Sequence, residues 1–169
     1  MLHGWRFCPR CAGRLRGGAG RVDCEECGFV VHANAAPTAC ALVVDEQGRI
    51  LLGLRSAEVE HGKWDLPGGF LEEAERPVDA MMRELREETG LEIEPMRFFG
   101  TWIDRYGDGP DARFTLNLYW LGRVVGGELD AADDVSELRW FAPDALPPPE
   151  EIAFLNVRQV LAAWRDENA

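Results

Sequence analysis

The sequence predicts an α/β fold: a mixed β-sheet with helices on its faces, preceded by a small separate module organised by cysteines. Three observations carry this expectation. Strand-like runs and two amphipathic helical stretches follow one another without the regular strand–helix–strand alternation of a doubly wound parallel sheet. Four of the five cysteines fall within the first 27 residues. The charge changes character near residue 36. Residues 1–36 carry five Arg and three acids, 5 − 3 = +2, so a chain of net charge −12 leaves −12 − 2 = −14 for residues 37–169. A length of 169 residues accommodates one ordinary domain plus a small appendage.

The first module is residues 1–36. It reads Cys8-Pro9-Arg10-Cys11, twelve residues, then Cys24-Glu25-Glu26-Cys27. Each Cys-x-x-Cys pair makes a knuckle that aims two thiolates at one point, and two knuckles complete a tetrahedral sulfur shell suited to structural Zn²⁺. Gly17-Gly18-Ala19-Gly20 lets the chain reverse between them. So short a segment cannot bury a core, so the metal would supply its folding energy. Disulfides would require an exported protein, and a redox Cys-x-x-Cys would stand alone beside a βαβ unit. The segment resembles a zinc ribbon. Cys40, outside it, is expected to be a buried small hydrophobe.

In residues 37–169, Thr38–Val44 and Ile50–Arg55 read as β-strands joined across Asp45-Glu46-Gln47-Gly48, a hairpin signature. A Gly/Pro-rich loop, residues 61–70, follows. Pro77 to Thr89 reads as a helix: Pro77 suits its first position, Asp79 its positive N-terminal turn and Gly90 its stop. Val78, Met82, Leu85 and Thr89 are its expected core stripe. Strands are expected near Met96–Tyr106, Arg113–Val125 and Glu137–Phe141. A last helix is expected at about Glu151–Arg165, with Ile152, Leu155, Val160, Leu161 and Trp164 for packing.

Several functions are disfavoured at once. The longest apolar run, Ala39–Val44, has six residues, against ~18 for a membrane helix. The N-terminus has no apolar signal core, so the expected location is the cytoplasm. An acidic chain is a poor ligand for duplex phosphates, so nucleic acid is not the expected partner.

Chemistry concentrates between Gly69 and Leu91. Glu84, Glu87 and Glu88 stand at i, i+3 and i+4, which places three carboxylates on one helix face. Their repulsion is offset in part by Arg83 and Arg86, and a hard divalent cation would offset more. The flanking residues sharpen this. Gly69, five residues, Glu75, seven residues, then Arg83-Glu84-Leu85-Arg86-Glu87-Glu88-Thr89-Gly90-Leu91 matches the Nudix box at nine defined positions across 23 residues. Residues 37–169 thus resemble a Nudix hydrolase domain, and Trp64-Asp65-Leu66-Pro67-Gly68-Gly69 and Leu138-Arg139-Trp140-Phe141 are similar to the family as well.

The resemblance implies an α/β/α sandwich around a mixed sheet, and cleavage of a pyrophosphate linkage in a nucleoside diphosphate derivative. It implies Mg²⁺ or Mn²⁺ as cofactor, lowering the pKa of an attacking water. By position, Glu84, Glu87 and Glu88 would be metal ligands, assisted by the Gly68 carbonyl. Arg83 would orient the carboxylates, and Glu75 would support the loop. The general base would be Glu88, Glu84 or an acid of a later loop, where Asp134 matches best among Asp133, Asp134 and Glu137. On the substrate side, Arg55 could hold a phosphate and Tyr106, Trp102 or Phe70 could stack on a base, against a bland reading of solvated arginine and core aromatics. Family members are often dimers, so a homodimer is an expected assembly.

A zinc ribbon joined to a Nudix box resembles pyrophosphatases acting on NADH, ADP-ribose or FAD. The Ser-Gln-Pro-Trp-Pro-Phe-Pro of the NADH group is replaced here by Phe98-Phe99-Gly100-Thr101-Trp102-Ile103-Asp104. The downstream proline of ADP-ribose enzymes has its nearest counterpart in Pro110. A nucleoside triphosphate sanitiser, and a metabolite-sensing regulator whose ribbon binds nucleic acid, are the competing readings.

Overall fold

A computed structural model describes residues 2–18, 20–109 and 112–167. Ala19 and Pro110, named above, lie outside them. The chain divides into two compact units: residues 1–36 with 105–114, and residues 37–104 with 115–169.

The first unit is built on a three-stranded antiparallel sheet of β1 (Leu15–Gly18), β2 (Arg21–Cys24) and β3 (Val30–His32), in the order β1-β2-β3. Gly17 has φ +134°, and a Cβ there would stand 2.2 Å from the Arg21 carbonyl oxygen, so the reversal requires glycine. Among the described residues its buried apolar side chains are Leu2, Cys8, Val22, Cys24 and Ala112. That is too little apolar surface to hold a fold alone.

The elements that follow are β4 (Ala36–Val43), β5 (Ile50–Arg55), β6 (Trp64–Asp65), β7 (Gly68–Phe70), α1 (Pro77–Thr89), β8 (Leu91–Tyr106), β9 (Arg113–Gly127), β10 (Val135–Phe141) and α2 (Leu155–Glu167); all lie in the second unit except Ala36 of β4, residues 105–106 of β8 and residues 113–114 of β9. These strands form a four-stranded sheet, β7-β4-β9-β8, and a three-stranded sheet, β10-β5-β6. The period-two rule explains the layering. On β4, Ala39, Ala41 and Val43 pack with Met81 and Leu85 of α1, while Cys40 and Leu42 pack with Val157, Val160, Leu161 and Trp164 of α2. β5 splits the same way, Leu51 toward α1 and Ile50 and Leu52 toward α2. Helices therefore cover both faces, and the α/β/α arrangement stands.

Four expectations are corrected. β4 and β5 are not a paired hairpin. They share one bridge, Val44 with Ile50, and then diverge, because β4 is taken by β7 and β9 and β5 by β10 and β6. The fully buried methionine of α1 is Met81, with Val78 and Met82 only partly buried at the edge of the cluster. Leu155 is 56% exposed at the start of α2, and Asn156 and Val157 turn inward instead. β8 also begins earlier than expected, at Leu91. No helix among the described residues is long and apolar enough to cross a membrane.

Candidate active site

Helix α1 presents the carboxylates. Pro77 opens it, and Gly90 closes it with φ 70° and an amide donating to the Arg86 carbonyl. Met81, Leu85 and Thr89 are buried, and Glu88, seven residues after Met81, shares that face. Glu88 is therefore 7% exposed, a carboxylate set at the edge of the core. Its Oε2 accepts a 2.8 Å hydrogen bond from the Gly68 amide. Burial pushes its pKa up to about 8 against the opposing Gly68 bond, and the Asp65 and Glu84 charges add to the rise.

Gly68 occupies a conformation open to glycine alone: φ is +141°, and a Cβ would approach the Ala39 oxygen to 2.4 Å and the Cys40 Cα to 2.6 Å. The register Cys40↔Gly68 between β4 and β7 makes this close approach, and it aims the amide at Glu88. The neighbouring Gly69 leaves room for the Glu84 carboxyl, whose carbon would be 2.5 Å from a Cβ at Gly69. Burial raises the pKa of Glu84, with Arg83 opposing.

Arg83 is the hub. Its Nε and Nη2 grip Glu75 in a fork, both at 2.9 Å. Its Nη1 donates to Glu84 at 2.8 Å and to Glu87 at 3.0 Å, and Nη2 also reaches the Phe70 carbonyl at 3.2 Å. The fork, joined by a bond from the Glu72 amide, holds the Glu75 carboxyl down to about 2. One guanidinium thus ties the loop after β7 to two carboxylates of α1. Glu87, 48% exposed, faces outward.

The later loop folds against the end of α1. Asp130 N donates to the Thr89 carbonyl at 2.9 Å and Ala132 N to that of Glu88 at 3.2 Å. Asp133 takes a left-handed φ of 53°, and its charge bears on Glu84. Asp134 is exposed, and its carbonyl accepts from the Ser56 amide at 2.8 Å.

Arg55 is not a solvated strand-end arginine. Its Nη1 meets Asp65 Oδ2 at 2.8 Å, its Nε donates to the Val59 carbonyl at 2.9 Å, and the guanidinium lies 5.0 Å from the Phe154 ring centre. Trp102 is packed into the α2-side cluster, against Phe99 and Tyr119. Tyr106 belongs to the unit of residues 1–36 and 105–114. Cys40 is buried as expected, and burial drives its thiol pKa far up.

In the first unit the Sγ atoms of Cys8, Cys11, Cys24 and Cys27 all lie within 4.8 Å of one another. The closest pairs are Cys8–Cys27 at 3.6 Å and Cys11–Cys24 at 3.5 Å. A tetrahedral ion with Zn–S bonds of ~2.3 Å needs sulfur separations of roughly 3.8 Å, so the set fits Zn²⁺. Burial disfavours the Cys8 thiolate, but amide and thiol hydrogen bonds outweigh it and bring its pKa to about 7. Among the described residues this is the one group of three or more ligand-type side chains whose donor atoms converge. Glu84, Glu87 and Glu88 offer the hard oxygen donors that Mg²⁺ or Mn²⁺ takes, here parted by Arg83 and Gly68.

A NUDIX domain profile matches residues 34–162. The chain belongs to the Nudix hydrolase family. This Nudix chain is 29% identical over 152 residues to the NAD-capped RNA hydrolase NudC of Vibrio parahaemolyticus, covering 88% of this chain and 55% of that protein. It thus spans about half the length of that relative. It is 32% identical over 105 residues to the ADP-ribose pyrophosphatase of Methanocaldococcus jannaschii, covering 62% of this chain and 61% of the other. A Nudix hydrolase structure from Nitrosomonas europaea shares the fold, with TM-score 0.78 at 23% identity over 96% of this chain and 91% of that one. The Nudix box runs from β7 through the Arg83-bound loop and α1 to the first residue of β8.

Proposed function

We propose that the chain is a Mg²⁺- or Mn²⁺-dependent hydrolase of the pyrophosphate bond in a nucleoside diphosphate linked to another moiety, of the ADP-ribose, NADH or FAD type. The observation that carries this is the Arg83 hub, which holds Glu75, Glu84 and Glu87 together while Gly68 holds Glu88 beside them. A purely structural helix has no need of an arginine shared by three carboxylates. The names of the relatives support the substrate class, since NAD and ADP-ribose share a diphosphate between two ribosyl groups.

In this reading Glu84, Glu87 and Glu88 are metal ligands, with the Gly68 carbonyl beside them. Divalent ions bound there would neutralise the diphosphate and acidify a water. The chain's own residues do the rest. Arg83 keeps Glu84 and Glu87 oriented through turnover. A general base, Glu88, Glu84 or the later-loop acid Asp134, accepts the proton as water attacks phosphorus and the P–O bond to the leaving phosphate breaks. Arg55 is assigned to positioning. We further infer that residues 1–36 are a zinc ribbon, its four thiolates holding structural Zn²⁺, and that residues 37–169 carry the hydrolase domain.

A panel of ADP-ribose, NADH, NAD-capped RNA, FAD and nucleoside triphosphates, assayed with Mg²⁺ or Mn²⁺ for released phosphate after phosphatase treatment, tests the reading. Hydrolysis of diphosphate-linked compounds is expected. Activity confined to triphosphates would overturn it in favour of a sanitising enzyme. Glu87→Gln and Glu88→Gln should each lower turnover strongly with the fold intact; wild-type turnover in both refutes the ligand assignment.

A further inference from the structure

Arg55, at the end of β5, and Asp65, at the end of β6, form an ion pair with side chains only 12% and 15% exposed. No other ion pair among the described residues has both partners so deeply covered. A buried pair is a poor source of stability, because desolvation consumes most of the attraction and apolar side chains of equal volume serve as well or better. Something beyond stability calls for charges here.

The connections run toward the glutamates. Asp65 Oδ2 takes the Arg55 Nη1 bond, and Oδ1 accepts from the Leu66 amide at 2.9 Å. Pro67, next in the chain, accepts from the Ala41 amide at 3.2 Å. Gly68 follows, its amide 2.8 Å from Glu88. Only two residues, Leu66 and Pro67, therefore separate the anchored Asp65 from the Gly68 amide that fixes Glu88. Both charges also reach Glu88 directly, Asp65 disfavouring its carboxylate and Arg55 favouring it. Arg55 is held in turn by Val59 and by the face of Phe154.

We propose that Arg55 and Asp65 are a positioning pair for the metal site: together they pin the Leu66–Gly68 segment against Glu88 while presenting it with no net charge. The proposal rests on the reading of Glu88 as a metal ligand. Its signature is a sign asymmetry. Asp65→Asn keeps the Oδ1 acceptor for Leu66 but removes a negative charge, and leaves the Arg55 cation in place, beside a cation site. Arg55→Gln leaves Asp65, a buried carboxylate that either stays anionic or takes up a proton, and neither state repels a divalent ion. A pair that only pins the backbone would show no such asymmetry.

Mn²⁺ binding to the intact chain, read from the free Mn²⁺ signal by electron paramagnetic resonance, tests this without substrate. Asp65→Asn should weaken Mn²⁺ binding by about tenfold, the effect of losing one negative charge near a partly buried cation site. Arg55→Gln should bind within about threefold of the unaltered protein or more tightly, and the double variant should return to within about threefold, as a coupled pair requires. Equal weakening by both single variants, or no change in Asp65→Asn, overturns the proposal. If Asp65→Asn does not fold, the double variant decides: a loss of about tenfold or more in it overturns the proposal. A raised KM in Arg55→Gln at saturating Mn²⁺, with kcat unchanged, also overturns it, because that marks Arg55 as a substrate ligand. Failure of the unaltered protein to bind Mn²⁺ at all sinks the hydrolase reading itself, a result separable from the others.

Discussion

Arg83 and Glu88 carry the argument at the scale of single residues. Arg83 donates to three carboxylates and a carbonyl, a pattern that lysine cannot reproduce because it has no planar fork. Arg83→Lys should therefore lower kcat by about 10–100-fold, as loss of a supporting partner of metal ligands does; steady-state kinetics at saturating metal reads it. Glu88 gives a prediction in pH. Its folded-state pKa of about 8 stands above the ordinary 4.5, so the folded chain holds more protons between those values. Its contribution to stability is complete below pH ~4.5 and is lost as pH rises through 8. Glu75 is opposite: with its pKa held down to about 2, its contribution is present above pH ~4.5 and is lost as pH falls toward 2. Denaturant unfolding in Mg²⁺-free buffer should show stability falling from pH 5 to 8, and Glu88→Gln should flatten that fall. A fall unchanged in Glu88→Gln would count against the assignment. Spacing alone made Glu84, Glu87 and Glu88 equivalent. What separates them is that Glu88 lies one turn from Leu85 on the buried face, and the sequence stripe missed this by assigning the core to Met82 instead of Met81.

At the scale of elements, the boundaries of α1 were legible because proline and glycine mark them, and β5 because its ends are a turn and an arginine. The pairing was not. A hairpin signature between β4 and β5 is a statement about adjacent residues, whereas their separation into two sheets depends on β7, β9 and β10, 91 positions away in the case of the Ile50–Phe141 pair, 141 − 50 = 91. The loop at Gly68 was legible as glycine-rich, but its requirement for glycine arises from the Ala39 and Cys40 backbone across the sheet. Gly68→Ala should cost about 1–3 kcal/mol or more, since neither the φ nor the backbone contact can relax locally. In α2 the expected stripe erred at Leu155. Leu155→Ala should therefore change stability by no more than about 0.5 kcal/mol, while Leu161→Ala, wholly inside the core, should cost about 2–5 kcal/mol. Chemical denaturation of the variants measures all three.

At the scale of the whole molecule, the formal charge of −12 counts the cysteines as neutral. Four thiolates and one Zn²⁺ change it by −4 + 2 = −2, and the +2 of residues 1–36 becomes zero. The slight basicity that left room for a nucleic-acid contact thus disappears in the zinc-loaded form. Metal analysis should find about one zinc per chain, and a strong chelator should abolish the structure of the cysteine unit, since so few of its side chains are buried apolar ones. Hydrogen exchange should then show rapid exchange at Val22 and Cys24 with α2 still protected; protection unchanged by chelation would argue against the zinc. The cysteine motif announced this unit in the sequence, but not its extent, because residues 105–114 join it from some seventy positions downstream. That membership bears on how the chain could be edited. No single cut in the polypeptide isolates the cysteine unit: removing residues 1–36 strips the tip between β8 and β9 of its companions, and grafting them elsewhere leaves the tip behind. The two units are distinct bodies in space without being separable words in the sequence, and inheritance or engineering must keep or discard both segments together.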